Sequence, residues 1–338
     1  MALRVPLVEV ACPLCGSRDA REMLRAPDPT GVVEGEFRIT RCRECGMGFL
    51  NPRPAPEALA ACYSGDYAPH RSPESQRPRR LSLADRLVLR TFYGWPFGPA
   101  PAQRPRRAPA LSRALLTPLR GRFDRDRKNI RFLPFEGGGR LLDVGCGSGA
   151  WLALHAEGGF AAAGIEPDPL AAERARVNRG LEVHTGTIHD APYPRESFDA
   201  VNLSHVLEHV PDPRETLSAA RDLLVPGGLL ALSIPVIDGH AARRLGPHWR
   251  HLELPRHLLH FPRPVLLRCL AECGFRVEHV RDDPAGDGWR ESFAFAPEAL
   301  RSEAWFAALA RSKRRRRRLG RELATRGESS FVVVHARK

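Results

Sequence analysis

The sequence predicts an α/β fold, a parallel sheet with helices on both faces, preceded by a small metal-binding module. Three observations carry this expectation. From about residue 125, strand and helix patterns alternate to the end of the chain. A glycine-rich turn, Gly145-Cys146-Gly147-Ser148-Gly149, follows the first of those strands. Near the start, Cys12-x-x-Cys15 and Cys42-x-x-Cys45 form two matched pairs, each followed by glycine.

Three segments follow from the texture: a zinc ribbon module at 1–66, a basic Pro/Arg-rich linker with short helices at 67–124, and the alternating domain at 125–338. In the first, two Cys-x-x-Cys turns can present four thiolates as a tetrahedron, the arrangement Zn²⁺ prefers. Cys12, Cys15, Cys42 and Cys45 are therefore the expected ligands. Four protein ligands close the coordination shell, so this zinc is expected to be structural. The residues between the pairs have the length of a hairpin. In the linker, Leu81, Ala84, Leu87, Val88 and Phe92 fall at helical spacing, and Leu111, Leu115, Leu116 and Leu119 suggest a second helix weakened by Pro118. Beyond it, strands are expected at Arg140–Val144, Phe160–Ile165, Leu181–His184, Phe198–Leu203, Leu229–Ile234, Phe275–Val280 and Phe331–His335. Helices are expected at Trp151–Glu157, Leu170–Asn178 behind Pro169, and Arg214–Leu224. One long helix is expected over Pro297–Leu323.

Ligands of such sheets bind at the carboxyl ends of the strands. Gly145, Gly147 and Gly149 let backbone approach a ligand closely. Asp143 ends the strand before them, where a carboxylate can accept hydrogen bonds from an ammonium group. Glu166 ends the second strand, where a carboxylate can bind ribose hydroxyls. Gly145-x-Gly147-x-x-Ala150 by itself also fits a dinucleotide fingerprint.

The ordered series is more specific. Leu141-Leu142-Asp143-Val144-Gly145-Cys146-Gly147-Ser148-Gly149, Gly164-Ile165-Glu166-Pro167-Asp168, Ser197–Val201, His205-Val206-Leu207-Glu208-His209-Val210-Pro211-Asp212-Pro213 and Leu224-Val225-Pro226-Gly227-Gly228 together resemble the class I methyltransferases that use S-adenosylmethionine. The resemblance covers about residues 125–338. It implies a Rossmann-like seven-stranded sheet whose last strand, at Phe331–His335, runs antiparallel. It also implies that Gly145, Cys146 (through its backbone) and Gly147 line the methionine part, with Asp143 nearby. Glu166, with Pro167 beside it, would bind the ribose. Thr187 and Ile188 would meet adenine, although many members carry an acidic residue where Thr187 stands. His205 would face the cofactor. With the ribbon ahead of it, and Asn51-Pro52-Arg53-Pro54 and Tyr63/Tyr67 following, the chain is similar to bacterial small-molecule methyltransferases of glycan, lipid or secondary-metabolite pathways.

The acceptor is expected after the fifth strand, where His and Arg crowd beside aromatics from Pro247 to Phe261. Orientation of the acceptor supplies much of methyl transfer, and an oxygen or carbon acceptor can also need a base, for which His is suited. His251 and His257 are the first candidates, His209 the next, with Arg256 as a partner for an anionic acceptor group. Glu208-His209 also resembles the Leu-Glu-His of quinone O-methyltransferases, some of which use a divalent metal held by further acidic residues. His205 stands three before Glu208, so the metal is not carried over. Neither an Asn-Pro-Pro-Tyr nor an Asp-Pro-Pro-Tyr motif follows the fourth strand, and the one Cys-Pro lies in the zinc knuckle. These absences argue against adenine or glutamine amino-group methylation and against cytosine-C5 chemistry.

The net charge of +13 is uneven. Residues 1–66 carry 8 basic and 9 acidic groups, 67–131 carry 16 and 4, 132–298 carry 16 and 23, and 299–338 carry 12 and 3. A near-neutral ribbon argues against a phosphate-binding surface, so nucleic acid is not the expected partner. The preferred reading is methyl transfer to a small-molecule, sugar or lipid-linked acceptor; the alternative is an RNA methyltransferase gripping RNA through the ribbon and basic segments. Lys313–Arg318, six consecutive cations, and the apolar stripes at 81–92 and 111–119 fit peripheral contact with anionic lipid. No run is long and apolar enough to span a membrane, and Pro6 and Glu9 interrupt the start. The expected location is cytoplasmic, with peripheral contact at the inner membrane face.

Overall fold

The computed structural model describes residues 3–63, 81–98, 108–125, 132–283 and 288–338. Tyr67 and the cations between residues 71 and 80, 104 and 107, and 127 and 131 lie outside the described residues. The chain divides into two compact units. One comprises Met1–Asp66, His205–Leu217 and Ser233–Val334; the other comprises Tyr67–Ser204, Ser218–Leu232 and His335–Lys338.

In the first unit, strands β1 (Leu7–Val8), β2 (Ala20–Pro27), β3 (Glu36–Cys42), β4 (Gly48–Leu50) and β5 (Arg53–Pro54) build the cysteine module. β2 and β3 pair as the antiparallel hairpin the spacing allowed, with Ala20 opposite Cys42 and Pro27 opposite Glu36. Both Cys-x-x-Cys pairs make the same turn: Gly16 N–H donates to Cys12 O at 2.8 Å and Gly46 N–H to Cys42 O at 3.1 Å. Both glycines take positive φ, 75° and 79°, a conformation open to glycine at no steric cost.

In the second unit, α1 (Leu83–Tyr93) begins at Ser82, whose hydroxyl accepts from Asp85 N–H while the Asp85 carboxylate accepts from Ser82 N–H. This reciprocal cap satisfies two orphan donors. α2 (Ala110–Arg125) carries Pro118 inside it. Then β6 (Arg140–Val144), α3 (Ala150–Glu157), β7 (Ala161–Glu166), α4 (Pro169–Arg179), β8 (Glu182–Thr185) and β9 (Phe198–Ser204) alternate as expected. α4 is bounded by side-chain chemistry: Asp168 caps its start, Pro169 opens it and left-handed Gly180 ends it. The core of this unit gathers on Trp95, fully buried against Phe132, Phe160 and His155, with its indole N–H donating to Leu133 O at 2.8 Å.

α5 (Pro213–Leu223) and β10 (Leu224–Pro235) follow, then α6 (His240–Leu245), β11 (Leu259–His260), α7 (Arg263–Glu272), β12 (Arg276–Asp282), α8 (Trp289–Phe295), α9 (Glu298–Ser302), α10 (Ala304–Arg311), α11 (Lys313–Arg326) and β13 (Phe331–Arg337). The expected single helix over 297–323 is three. Glu303 and Ser312 both take extended backbone, and the Ser312 hydroxyl accepts from Arg315 N–H at 3.2 Å, restarting the helix ahead of the cationic run. The seven-stranded sheet has the order β12-β13-β10-β9-β6-β7-β8. β6 runs parallel to β7 and β9, and β7 to β8, while the last strands are antiparallel.

Within the first unit, a second sheet has the order β11-β4-β3-β2. Its edge strand β11 comes from the histidine-rich segment, not from the cysteine module. Gly48 makes this pairing possible, since a Cβ there would stand 2.6 Å from His260 O. Below that junction lies a buried ion pair. Both side chains of Arg256 and Asp28 are fully buried, with Arg256 Nη2 2.6 Å and Nη1 3.2 Å from the carboxylate. Asp28 also accepts N–H bonds from Thr30, Val32 and Val33 and the Thr30 hydroxyl. Arg256 also donates to Cys62 O at 3.0 Å.

Burial pushes the Asp28 carboxyl up, but the Arg256 and Thr30 bonds outweigh it and hold it below the ordinary value. Its contribution to stability is therefore complete above about pH 4, the unfolded carboxyl's range, and disappears as pH falls through the lower folded value. Asp28→Ala should cost about 3–5 kcal/mol in urea unfolding, because it strands a buried guanidinium. Arg256→Met should cost less, because Asp28 keeps its three backbone N–H donors. The reverse ranking would show that Asp28 does not carry the junction.

Candidate active site

The donor loop is built entirely within the second unit. β6 delivers Asp143, 4% exposed, to its carboxyl end. Gly145 N–H and Cys146 N–H both donate to Ile165 O, at 2.8 and 3.0 Å, so the loop hangs from the neighbouring strand β7. Gly145, Gly147 and Gly149 have φ of 70°, 55° and 75°. Gly149 is also sterically required: a Cβ there would stand 2.4 Å from Leu181 Cδ1. A Cβ on Gly147 would meet nothing within 4 Å, so this turn faces open space. Cys146 points the other way, into the core, where its Sγ would lie 2.6 Å from a Cβ on Gly164. Only its backbone is left to a ligand.

Glu166, 3% exposed at the end of β7, organises the loop. Its Oε2 accepts from Gly147 N–H at 2.7 Å and its Oε1 from Asp168 N–H at 2.9 Å. Asp143 Oδ1 accepts from Asn202 Nδ2 at 2.7 Å. Burial pushes the Asp143 carboxyl up to about 7; Asn202 opposes that shift and the Glu166 charge adds to it. Asn202, one residue from the motif at 197–201, was not singled out from the sequence. Further along, Thr187 is exposed and Ile188 buried. Asp190 Oδ1 accepts from both the Thr187 N–H and hydroxyl at 2.6 Å, which lowers the Asp190 carboxyl to about 2. A carboxylate thus stands three residues on from Thr187, bonded to it. Pro167 is exposed.

The histidines belong to the first unit. His205, which follows β9 directly, has φ +56°, a conformation non-glycine residues rarely adopt. Its Nδ1 lies 3.3 Å from Glu208 Oε1 and its ring stacks 4.8 Å from Phe331. The side chain is exposed, and the Glu208 carboxylate beside it holds His205 above the ordinary histidine value. His209 Nδ1 is 2.8 Å from the Tyr63 hydroxyl and 3.2 Å from Arg256 O. His257 Nδ1 is 2.8 Å from His251 O, and its ring stands edge-on to His209 at 4.6 Å. His257 is buried and His251 half-buried. Burial and the neighbouring histidines hold His257 neutral, well below the ordinary value. Arg256, expected to meet an anionic acceptor, has no exposed surface and is committed to Asp28. Tyr63 was noted in the sequence only as part of a pattern, and nothing local to Glu208 foretold its meeting with His257.

In the cysteine module, Cys12 Sγ lies 3.5 Å from Cys45 Sγ and Cys15 Sγ 3.6 Å from Cys42 Sγ. All four sulfurs fall within 4.8 Å of one another, and none is in a disulfide. This donor set fits a tetrahedral thiolate metal site.

Residues 119–280 match the family model described as a methyltransferase domain. The chain is 35% identical over 130 residues to a ubiquinone biosynthesis O-methyltransferase of Haemophilus ducreyi, covering 35% of this chain and 52% of that protein. It is 33% identical over 171 residues to a tRNA U34 carboxymethyltransferase of Methylococcus capsulatus, covering 46% of this chain and 52% of that protein. The chain thus spans about half the length of these curated relatives. Among solved structures, an S-adenosylmethionine-dependent methyltransferase of Mesorhizobium loti aligns with a TM-score of 0.44 at 22% identity, over 63% of this chain and 98% of that one. The match to the methyltransferase domain model thus takes in the glycine turn, Glu166 and the histidines from 205 to 260.

Proposed function

We propose that the protein transfers a methyl group from S-adenosylmethionine to a small-molecule, sugar or lipid-linked acceptor. The observation that carries the reading is Glu166, a buried carboxylate at the end of β7 that accepts from the glycine turn through Gly147 N–H. On this reading Gly145, Cys146 and Gly147 offer backbone to the methionine part and Asp143 accepts from its ammonium group. Pro167, Thr187, Ile188 and His205 are the further donor-side residues. The bound sulfonium supplies the methyl group for in-line displacement; the chain's own part is to orient the acceptor and remove its proton. Among the three histidines, the base role falls to His251. It is half-buried, whereas His257 is buried and His209 is tied at Nδ1. Zinc on Cys12, Cys15, Cys42 and Cys45 holds the module together and stays outside the chemistry.

The tRNA-modifying relative favours a second reading, an RNA acceptor. A steep salt dependence of RNA affinity would select it.

Two outcomes test the main reading. Because the Asp143 carboxyl sits up near 7 and must be ionised to accept an ammonium, S-adenosylmethionine affinity should weaken as pH falls below that value. Calorimetric titration on either side of pH 7 measures this, and Glu166→Ala should abolish the heat at both. Separately, His251→Gln should lower turnover by about 10²–10⁴ with donor affinity unchanged, the range for a lost general base. Release of S-adenosylhomocysteine with a panel of phenols and sugars reads it. Normal turnover removes His251 from the mechanism.

We also propose peripheral contact with anionic lipid. Leu83, Leu87, Leu111 and Leu115 are 82%, 48%, 72% and 71% exposed on α1 and α2, beside Arg113 and Arg120, whose guanidinium groups lie over Phe92. The protein should pellet with phosphatidylglycerol vesicles and stay in solution with phosphatidylcholine; equal pelleting with both excludes this contact.

A further inference from the structure

Glu208 is a carboxylate that the fold buries without a hydrogen bond. Its residue exposure is 0%, and neither side-chain oxygen has a hydrogen-bond partner. Burying a carboxylate away from water costs several kcal/mol, roughly, unless charge or hydrogen bonds compensate. His205 Nδ1 lies 3.3 Å from Oε1, an ion pair only where that imidazole is protonated. The Glu208 backbone is pinned as well: its carbonyl accepts from both Leu258 N–H at 2.8 Å and Leu259 N–H at 3.0 Å.

Two imidazoles face it. The ligand-capable atoms of Glu208, His209 and His257 all lie within 4.8 Å of one another. Each histidine keeps Nδ1 against a backbone carbonyl, Arg256 O for His209 and His251 O for His257. A carbonyl only accepts, so Nδ1 of His257 carries the proton and its Nε2 keeps a lone pair. Donation of one ring N–H to a carbonyl is how proteins orient a histidine for a metal. Glu253 Oε2 is 3.7 Å from His257 Nε2 and adds negative charge.

We propose that Glu208, His209 and His257 bind a divalent transition metal, distinct from the ion of the four cysteines. Two imidazoles and one carboxylate suit zinc, iron(II), manganese or cobalt rather than calcium or magnesium, which prefer oxygen donors. Three protein ligands leave coordination positions open, in contrast to the closed four-thiolate set. Under the reading given above, an acceptor hydroxyl would take such a position and lose its proton more readily to His251.

Cobalt(II) tests the site on the full-length protein as isolated. The wild type should take up one equivalent with visible d–d bands and no thiolate charge transfer. In Glu208→Gln and in His257→Gln the affinity should fall by about 10-fold or more, the scale on which metal-site substitutions act. Circular dichroism should match the wild type in both variants. No uptake, uptake carrying thiolate bands, or undiminished uptake in a folded Glu208→Gln protein would overturn the proposal. Donor binding by calorimetry separates the two readings. Lost cobalt uptake with intact S-adenosylmethionine binding counts against the metal alone, and lost S-adenosylmethionine binding counts against the methyltransferase reading.

Discussion

The first unit depends on the pair between Arg256 and Asp28. These side chains are separated by 228 residues and fully buried, so each requires the other for burial to be tolerable. The pair fixes more than itself. Arg256 O is the carbonyl against which His209 rests, and the next residue is His257. Three residues on, β11 joins β4 as the edge of the cysteine module's sheet. A residue that looked in the sequence like an anion receptor is instead the anchor that gives the loop's histidines their positions. The same guanidinium cannot do both, because an accessible Arg256 would leave Asp28 as a buried anion supported only by its N–H and hydroxyl donors.

The second unit was largely legible because its punctuation is local. Asp168, Pro169 and Gly180 bound α4 by short-range chemistry that needs no knowledge of the rest of the fold. The glycine turn and Glu166 are likewise set by strand ends, where position along the strand decides which side chain emerges. The extent of β10 and the presence of α8 were not legible, since neither has a distinctive cap or period. The break of the expected long helix at Ser312 was signalled by a capping residue, but the surrounding Arg-rich, helix-favouring composition masked it.

The histidine cluster was only half legible, for a physical reason. Sequence spacing reports which residues share a helix face or strand end. Glu208, His209 and His257 share neither; they meet because residues 258 and 259 donate their N–H groups to Glu208 O and because β11 completes a sheet begun more than two hundred residues earlier. His205 stood where further acidic groups would have been expected around a metal, and that substitution argued against one. The third member of the cluster, His257, comes from a different segment, outside the motif that carried the resemblance.

The contrast between the two buried carboxylates sharpens the case for a cation. Asp28 has a guanidinium, three backbone N–H groups and a hydroxyl. Glu208, just as buried, has none of these; beside it stand the His205 imidazole at 3.3 Å and the imidazoles of His209 and His257. A fold that satisfies one carboxylate so fully has the means to satisfy a second with a nearby N–H or to place an apolar residue there. Keeping Glu208 unbonded costs stability in the absence of a ligand, and a site that binds its ligand only when folded recovers that cost through mass action. The positive φ of His205, immediately after β9 and beside Glu208, adds a second local cost at the same place, a conformation that persists only where the surrounding structure enforces it.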